Sequence, residues 1–156
     1  MEIEHLREAC CSPMEKALFE FMFSTGCRIG EVVTLDRGRI NWSNRSAVIR
    51  GKGDKEREVY FNIRCEIWLK RYLDRRVDRD PAIFVTERDS HRMSIATMRY
   101  IIKRISKRAG INKDIHPHQL RHSLAEASDR NFIGSIFKNK TATHLHALLN
   151  FHSCTR

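Results

Sequence analysis

Proline and glycine are scarce in this chain, at 3 and 7 of 156 residues, and no low-complexity linker or internal repeat interrupts it. Collagen-like and disordered classes are excluded on that ground. No apolar run approaches the ~18 residues of a membrane-spanning helix, and the opening MEIEHLREACC turns acidic at its second residue, unlike a secretory signal peptide. A cytoplasmic protein with no membrane partner is therefore expected. The five cysteines, Cys10, Cys11, Cys27, Cys65 and Cys154, contain no C-x-x-C pair. So odd and scattered a set predicts reduced thiols rather than a disulfide framework or a metal site. Tyrosine is rare as well: Tyr60, Tyr72 and Tyr100 are the full set, and none follows residue 100.

What the chain has in excess is positive charge. Lys and Arg number 29 against 19 Asp and Glu, a formal net charge of +10. The excess is not uniform. Residues 1–36 hold three bases and seven acids, whereas residues 88–113 (RDSHRMSIATMRYIIKRISKRAGINK) hold eight bases and one acid. Charge concentrated in this way is the electrostatic footprint of a polyanion-binding surface, although a basic helix can equally be a solvated face.

The periodicity predicts a mostly helical domain with a small antiparallel β-hairpin or sheet, an α+β fold. Ser12-Pro13-Met14-Glu15 has the N-cap, the proline at the first helical position and the glutamate of a capping box. Met14, Ala17, Leu18, Phe21 and Met22 then recur at helical spacing up to Gly26, a natural stop. A second helix is expected from about Arg28 to Leu35, with Ile29, Val32 and Val33 inward. AVIR and REVYF, joined by GKGDKE, read as two strands around a tight turn. A helix from Asn62 is expected to bury Ile63, Ile67, Leu69, Tyr72 and Leu73, and AIFV at 82–85 to form a short strand. The basic segment is itself expected to be helical. Ile95, Met98, Ile102, Ile105 and Ala109 would line one face, and Arg99, Lys103, Arg104, Lys107 and Arg108 would be the candidate DNA contacts. Gly110 would end it, and Pro117 would mark the entry to a further helix.

Three segments carry candidate chemistry. In TGCRIGEVVTL (25–35), Arg28 and Glu31 lie one helical turn apart. GKGDKER (51–57) sets Lys52 and Lys55 at a hairpin tip. HPHQLRHSLAEA (116–127) places His118 and Arg121 on one helix face. Singly, each has an ordinary explanation as an ion pair, a solvated turn or a helix cap. Together, two guanidiniums, an ammonium and an imidazole suit a phosphodiester, because guanidiniums bind its non-bridging oxygens bidentately and a lysine can protonate a leaving alkoxide.

These three segments, in this order, resemble the signature motifs of the tyrosine recombinase (phage integrase) catalytic domain, similar to bacterial chromosome-dimer-resolving, integron and transposon recombinases. The resemblance covers about residues 3–124, which gives expected boundaries of 1–124 for the catalytic core and 125–156 for a diverged tail. The family's N-terminal core-binding domain is not represented in these residues. The resemblance implies that Arg28 and Arg121 clamp the scissile phosphate, with Glu31 supporting. Lys52 would act as general acid toward the 5′-hydroxyl, and His118 would assist proton transfer. It further implies double-stranded DNA and other recombinase subunits as partners, nucleoid association, and neither a metal nor a nucleotide cofactor.

The family's last segment should add a second histidine and a nucleophilic tyrosine. Family spacing from Arg121 points to His144 and, at the tyrosine position, Ser153. The local pattern LLNFHS points instead to His152, and a third register puts His146 where the tyrosine should be. No nucleophile is assigned. The expected function is binding of a scissile DNA phosphate by a recombination domain that does not cleave alone. The alternatives are a non-catalytic DNA-binding or regulatory partner of a full-length recombinase, and a basic helical domain whose motif matches are coincidental.

Overall fold

A computed structural model of the chain describes residues 3–111. Among these residues five α-helices and one small sheet follow in the order α1 (Ile3–Glu8), α2 (Pro13–Thr25), α3 (Ile29–Val33), β1 (Ile40–Asn41), β2 (Ser46–Arg50), β3 (Glu56–Tyr60), α4 (Ile63–Asp74) and α5 (Ile95–Arg108), with short 3-10 turns at Arg37–Arg39 and Lys52–Asp54.

Helix α2 is the centre of the core. Ser12 caps it by accepting from the Glu15 N–H at 3.2 Å, with Pro13 in the first position. The expected capping box differs in one respect: the Glu15 carboxylate reaches past Ser12 to the N–H of Cys11, at 2.8 Å. Gly26 ends the helix in the left-handed region (φ 63°) and donates its N–H to Met22 O. Met14, Ala17, Leu18, Phe21 and Met22 are buried as the spacing predicts, and Phe19 joins them. Phe21 meets Phe61 and Phe84 at ring separations of 6.1 and 6.3 Å, tying α2 to the ends of the sheet and of the 76–85 loop.

The sheet has three antiparallel strands in the order β1-β2-β3, one more than the two-stranded hairpin read from the sequence around GKGDKE. The two-residue β1 pairs Ile40 with Ala47, too short a run to carry a periodic signal. In the β2–β3 hairpin Ala47 faces Val59 and Ile49 faces Arg57. Ala47, Ile49 and Val59 are buried, so Arg57 shares the inward face and continues it toward the turn.

Three local expectations need correction. On α4 the buried side chains are Cys65, Leu69 and Tyr72, while Ile63 and Ile67 are 63% and 44% exposed. The inward face is set by Cys65, as apolar in practice as isoleucine, and Ile63 and Ile67 each lie two residues off that stripe. On α5, Ile95 is 41% exposed, and Met98, Ile101, Ile102 and Ile105 form the buried face. Residues 82–85 make only isolated bridges, Asp36 to Ala82 and Val85 to Arg92. Their burial is real, but side chains satisfy much of their backbone: Arg76 donates to Ala82 O and Ile83 O, and the Val85 N–H donates to the Tyr72 hydroxyl at 3.1 Å, while the Ile83 N–H donates to Leu35 O and Phe84 O accepts from the Met93 N–H.

Cys10, Cys27 and Cys65 are buried cysteines outside any disulfide, and Cys11 is an exposed one. Burial pushes the Cys10 thiol up to about 12, which keeps it protonated and inert. Among the described residues no helix is long and apolar enough to cross a membrane.

Candidate functional site

Arg28 stands at the N-terminus of α3. Its backbone N–H donates to Glu31 Oε2 at 2.7 Å, so the glutamate one turn later fixes the residue's main chain. Glu31 is 6% exposed. Its carboxylate is also held from the sheet, by Arg57 Nη2 at 3.0 Å to the same Oε2. The other oxygen, Oε1, lies against the hairpin backbone: a methyl group added at Gly51 would sit 3.6 Å from it. The Arg28 guanidinium approaches Oε1 only to 3.6 Å and remains 65% exposed. A single buried carboxylate therefore joins the first motif to the second, with Arg28 on one side and the base of the Lys52 turn on the other.

The turn itself is compact. The Gly51 N–H donates to Lys55 O at 2.8 Å, and Gly53 and Asp54 both take positive φ, 74° and 59°. Glycine meets that requirement without strain, and aspartate is among the side chains that tolerate it best. Arg50 steadies Asp54 at 3.1 Å, and Lys52 and Lys55 are exposed on the rim. The far end of α3 is held by Arg92, which donates to Val33 O at 2.7 Å and pairs with Asp36. Arg57 and Arg92 were not singled out from the sequence. The signal for Arg57 was available, since it alternates with buried Val59; that for Arg92 was not, since its partners lie 56 to 59 residues away.

The basic helix divides. Arg99, Lys103 and Lys107 are exposed and recur every fourth residue, about 6 Å apart along one face. Arg104 and Arg108 turn inward instead, to Glu15, which is 1% exposed. Arg104 Nη2 and Arg108 Nη2 both reach Glu15 Oε1 at 2.5 Å, and Arg108 Nη1 reaches Oε2 at 2.9 Å. Burial alone would raise the Glu15 carboxyl; the bonds from Arg108, the Cys11 N–H and Arg104 outweigh it and hold the group below the usual carboxylate range. The same bond pushes the Arg108 guanidinium up. Two of the five cations expected to face DNA are thus engaged with a buried acid, although both remain partly exposed at 41% and 30%.

Tyr60 lies on β3, where its hydroxyl donates to Glu58 at 2.7 Å; Tyr72 is buried, and Tyr100 is 64% exposed on α5. His118, Arg121 and His144 lie outside the described residues, as do His146, His152 and Ser153.

The chain superposes on XerA recombinase with a TM-score of 0.76 at 32% identity, covering 83% of this chain and 48% of that one. The XerH site-specific recombinase bound to its difH substrate, in a pre-cleavage complex, matches with a TM-score of 0.67 at 24% identity, over 86% and 43% of the two chains, a likeness of fold. The architecture is that of a tyrosine recombinase catalytic domain. In sequence, the tyrosine recombinase XerD of Ralstonia nicotianae is 36% identical over 121 residues, 71% of this chain and 38% of the relative. XerC of Chlamydia caviae is 30% identical over 115 residues, 71% of this chain and 37% of that one. Residues 1–131 match the Phage integrase family, and the chain belongs to it. It spans well under half the length of these curated relatives.

Proposed function

We propose that the chain binds the phosphodiester backbone of double-stranded DNA as the catalytic-domain part of a site-specific recombinase. The observation that carries this is Arg28: its backbone is anchored to a buried carboxylate while its guanidinium stays 65% exposed, next to a turn bearing Lys52. Arg28 and Arg121 take the non-bridging oxygens of one phosphate, Glu31 orients Arg28, Lys52 serves as proton donor to the leaving 5′-oxygen, and His118 and His144 assist proton transfer. Preorganised cations of this kind stabilise the charge that develops on a phosphoryl group in transfer. Arg99, Lys103 and Lys107 give sequence-independent contact to the flanking backbone.

Covalent cleavage in such a mechanism needs a phenolic nucleophile beyond Arg121, and these 156 residues contain no tyrosine after Tyr100. The expected activity of this chain alone is therefore DNA binding without strand cleavage. Incubation with nicked duplexes should give no covalent protein–DNA adduct, and a robust adduct would overturn the assignment.

That these 156 residues hold no tyrosine after Tyr100 also favours a second reading, in which the chain joins other recombinase subunits on DNA as a partner that supplies no nucleophile. Mixing it with a tyrosine-bearing, arginine-deficient recombinase tests this: restored cleavage supports partnership, and unchanged inactivity counts against it.

A further inference from the structure

The loose contact between Arg28 and Glu31 calls for a cause. A buried carboxylate is costly unless paired, and ordinarily it draws the nearest guanidinium into full contact. Arg28 is one helical turn away, yet its guanidinium stops at 3.6 Å and stays exposed. The difference is Arg57. Its Nη2 donates to Glu31 Oε2 at 3.0 Å, and the Arg28 N–H satisfies the same oxygen at 2.7 Å. Charge and hydrogen-bond demand at Glu31 are thus largely met without the Arg28 side chain. Arg57 comes from β3, opposite Ile49, so the sheet rather than the helix supplies the neutralising charge.

We propose that Arg57 is a positioning residue: by neutralising Glu31 from the sheet, it keeps the Arg28 guanidinium free to take an anion. This deepens the phosphate-binding reading and rests on it for its functional consequence, but not for its structural one. In Arg57→Ala, Glu31 recruits Arg28 and the guanidinium folds onto the carboxylate. In Arg57→Ala/Glu31→Gln, the side-chain amide oxygen still accepts from the Arg28 N–H and so keeps the main chain oriented, but the buried charge that drives the recruitment is gone, and Arg28 is released. Arg57→Lys keeps the neutralising charge and therefore keeps Arg28 available.

Two measurements on the full chain separate the parts. Arginine modification by phenylglyoxal, with Arg28 followed by peptide mass spectrometry, reports the guanidinium directly. Arg28 should label several-fold more slowly in Arg57→Ala and regain its rate in the double variant and in Arg57→Lys. Binding of a fluorescent mixed-sequence duplex reports the consequence: Arg57→Ala should lose about tenfold in affinity, as expected for one charged hydrogen-bonding contact, and the double variant should recover it. Equal labelling of Arg28 in wild type and Arg57→Ala overturns the inference. So does a loss of affinity that Glu31→Gln fails to rescue, which would place Arg57 itself on the DNA. Slower labelling with unchanged DNA affinity leaves the inference standing and sinks the phosphate reading. Should Arg57→Ala fail to fold by circular dichroism, Arg57→Gln carries the same comparison, because it too removes the charge.

Discussion

Two buried glutamates in this domain each gather two arginines, and they do so to opposite ends. Glu15 takes Arg104 and Arg108 through three bonds of 2.5 to 2.9 Å, and both guanidiniums lock α5 to the start of α2. Glu31 takes Arg57 at 3.0 Å but holds Arg28 by its backbone, leaving the guanidinium at 3.6 Å and largely in solvent. The chemistry is the same and the carboxylates are almost equally buried. What differs is whether the guanidinium itself bonds the carboxylate. At Glu15 the ion pairs join elements; at Glu31 they aim a cation outward.

The sharpest way to break that comparison is to remove the arginines from each side. Arg104→Ala/Arg108→Ala leaves Glu15 buried without a charge partner, and should cost about 3–5 kcal/mol of stability in urea unfolding. DNA affinity per folded molecule should change by much less than from losing the exposed cations of the same helix. Arg99→Ala/Lys103→Ala/Lys107→Ala should do the reverse. Stability should stay within about 0.5 kcal/mol, while the slope of log affinity against log salt flattens by about 2.7, or 0.9 per lost phosphate contact. An unchanged slope would mean that α5 faces solvent rather than DNA. Arg28→Ala is the smaller test at the second carboxylate: about tenfold weaker DNA binding with unfolding shifted by no more than about 0.5 kcal/mol. Were Arg28→Ala instead as destabilising as the Arg104/Arg108 pair, the two sites would be alike and the contrast lost.

How far this was legible from the sequence follows the range of the interactions. The start and stop of α2 are written locally, in Ser12, Pro13 and Gly26, and the structure has them there. The hairpin strands around GKGDKE are equally local. The buried face of α4 was misplaced because isoleucine outranks cysteine on hydropathy, whereas packing chose Cys65. The destinations of Arg104 and Arg108 could not be read at all: Glu15 lies 89 and 93 residues away, and nothing local distinguishes them from Lys103 and Lys107. Of the expected site, Arg28, Glu31 and Lys52 fall on the described domain, and Glu31 brings the first motif to the second. His118, Arg121 and His144 lie beyond it.

The subtlest expected difference between the two carboxylates is in acid. Glu15 is held below the usual carboxylate range by Arg108, the Cys11 N–H and Arg104, after overcoming the opposing effect of burial. A carboxyl depressed in the folded state stabilises the fold while it is ionised, at and above its unfolded value of about 4.3, and that contribution fades as pH falls through the lower folded value. Below about pH 4.3, then, wild type should lose stability more steeply than Glu15→Gln, and the two curves should run parallel above about pH 6. The effect is smaller than that of deleting the arginines, because protonation removes the charge that made burial costly while leaving acceptors for the same donors. Stability of the two proteins measured in urea across that window settles the point. Parallel curves throughout would show that Arg104 and Arg108 hold Glu15 by shape alone, and the electrostatic half of the comparison would fall.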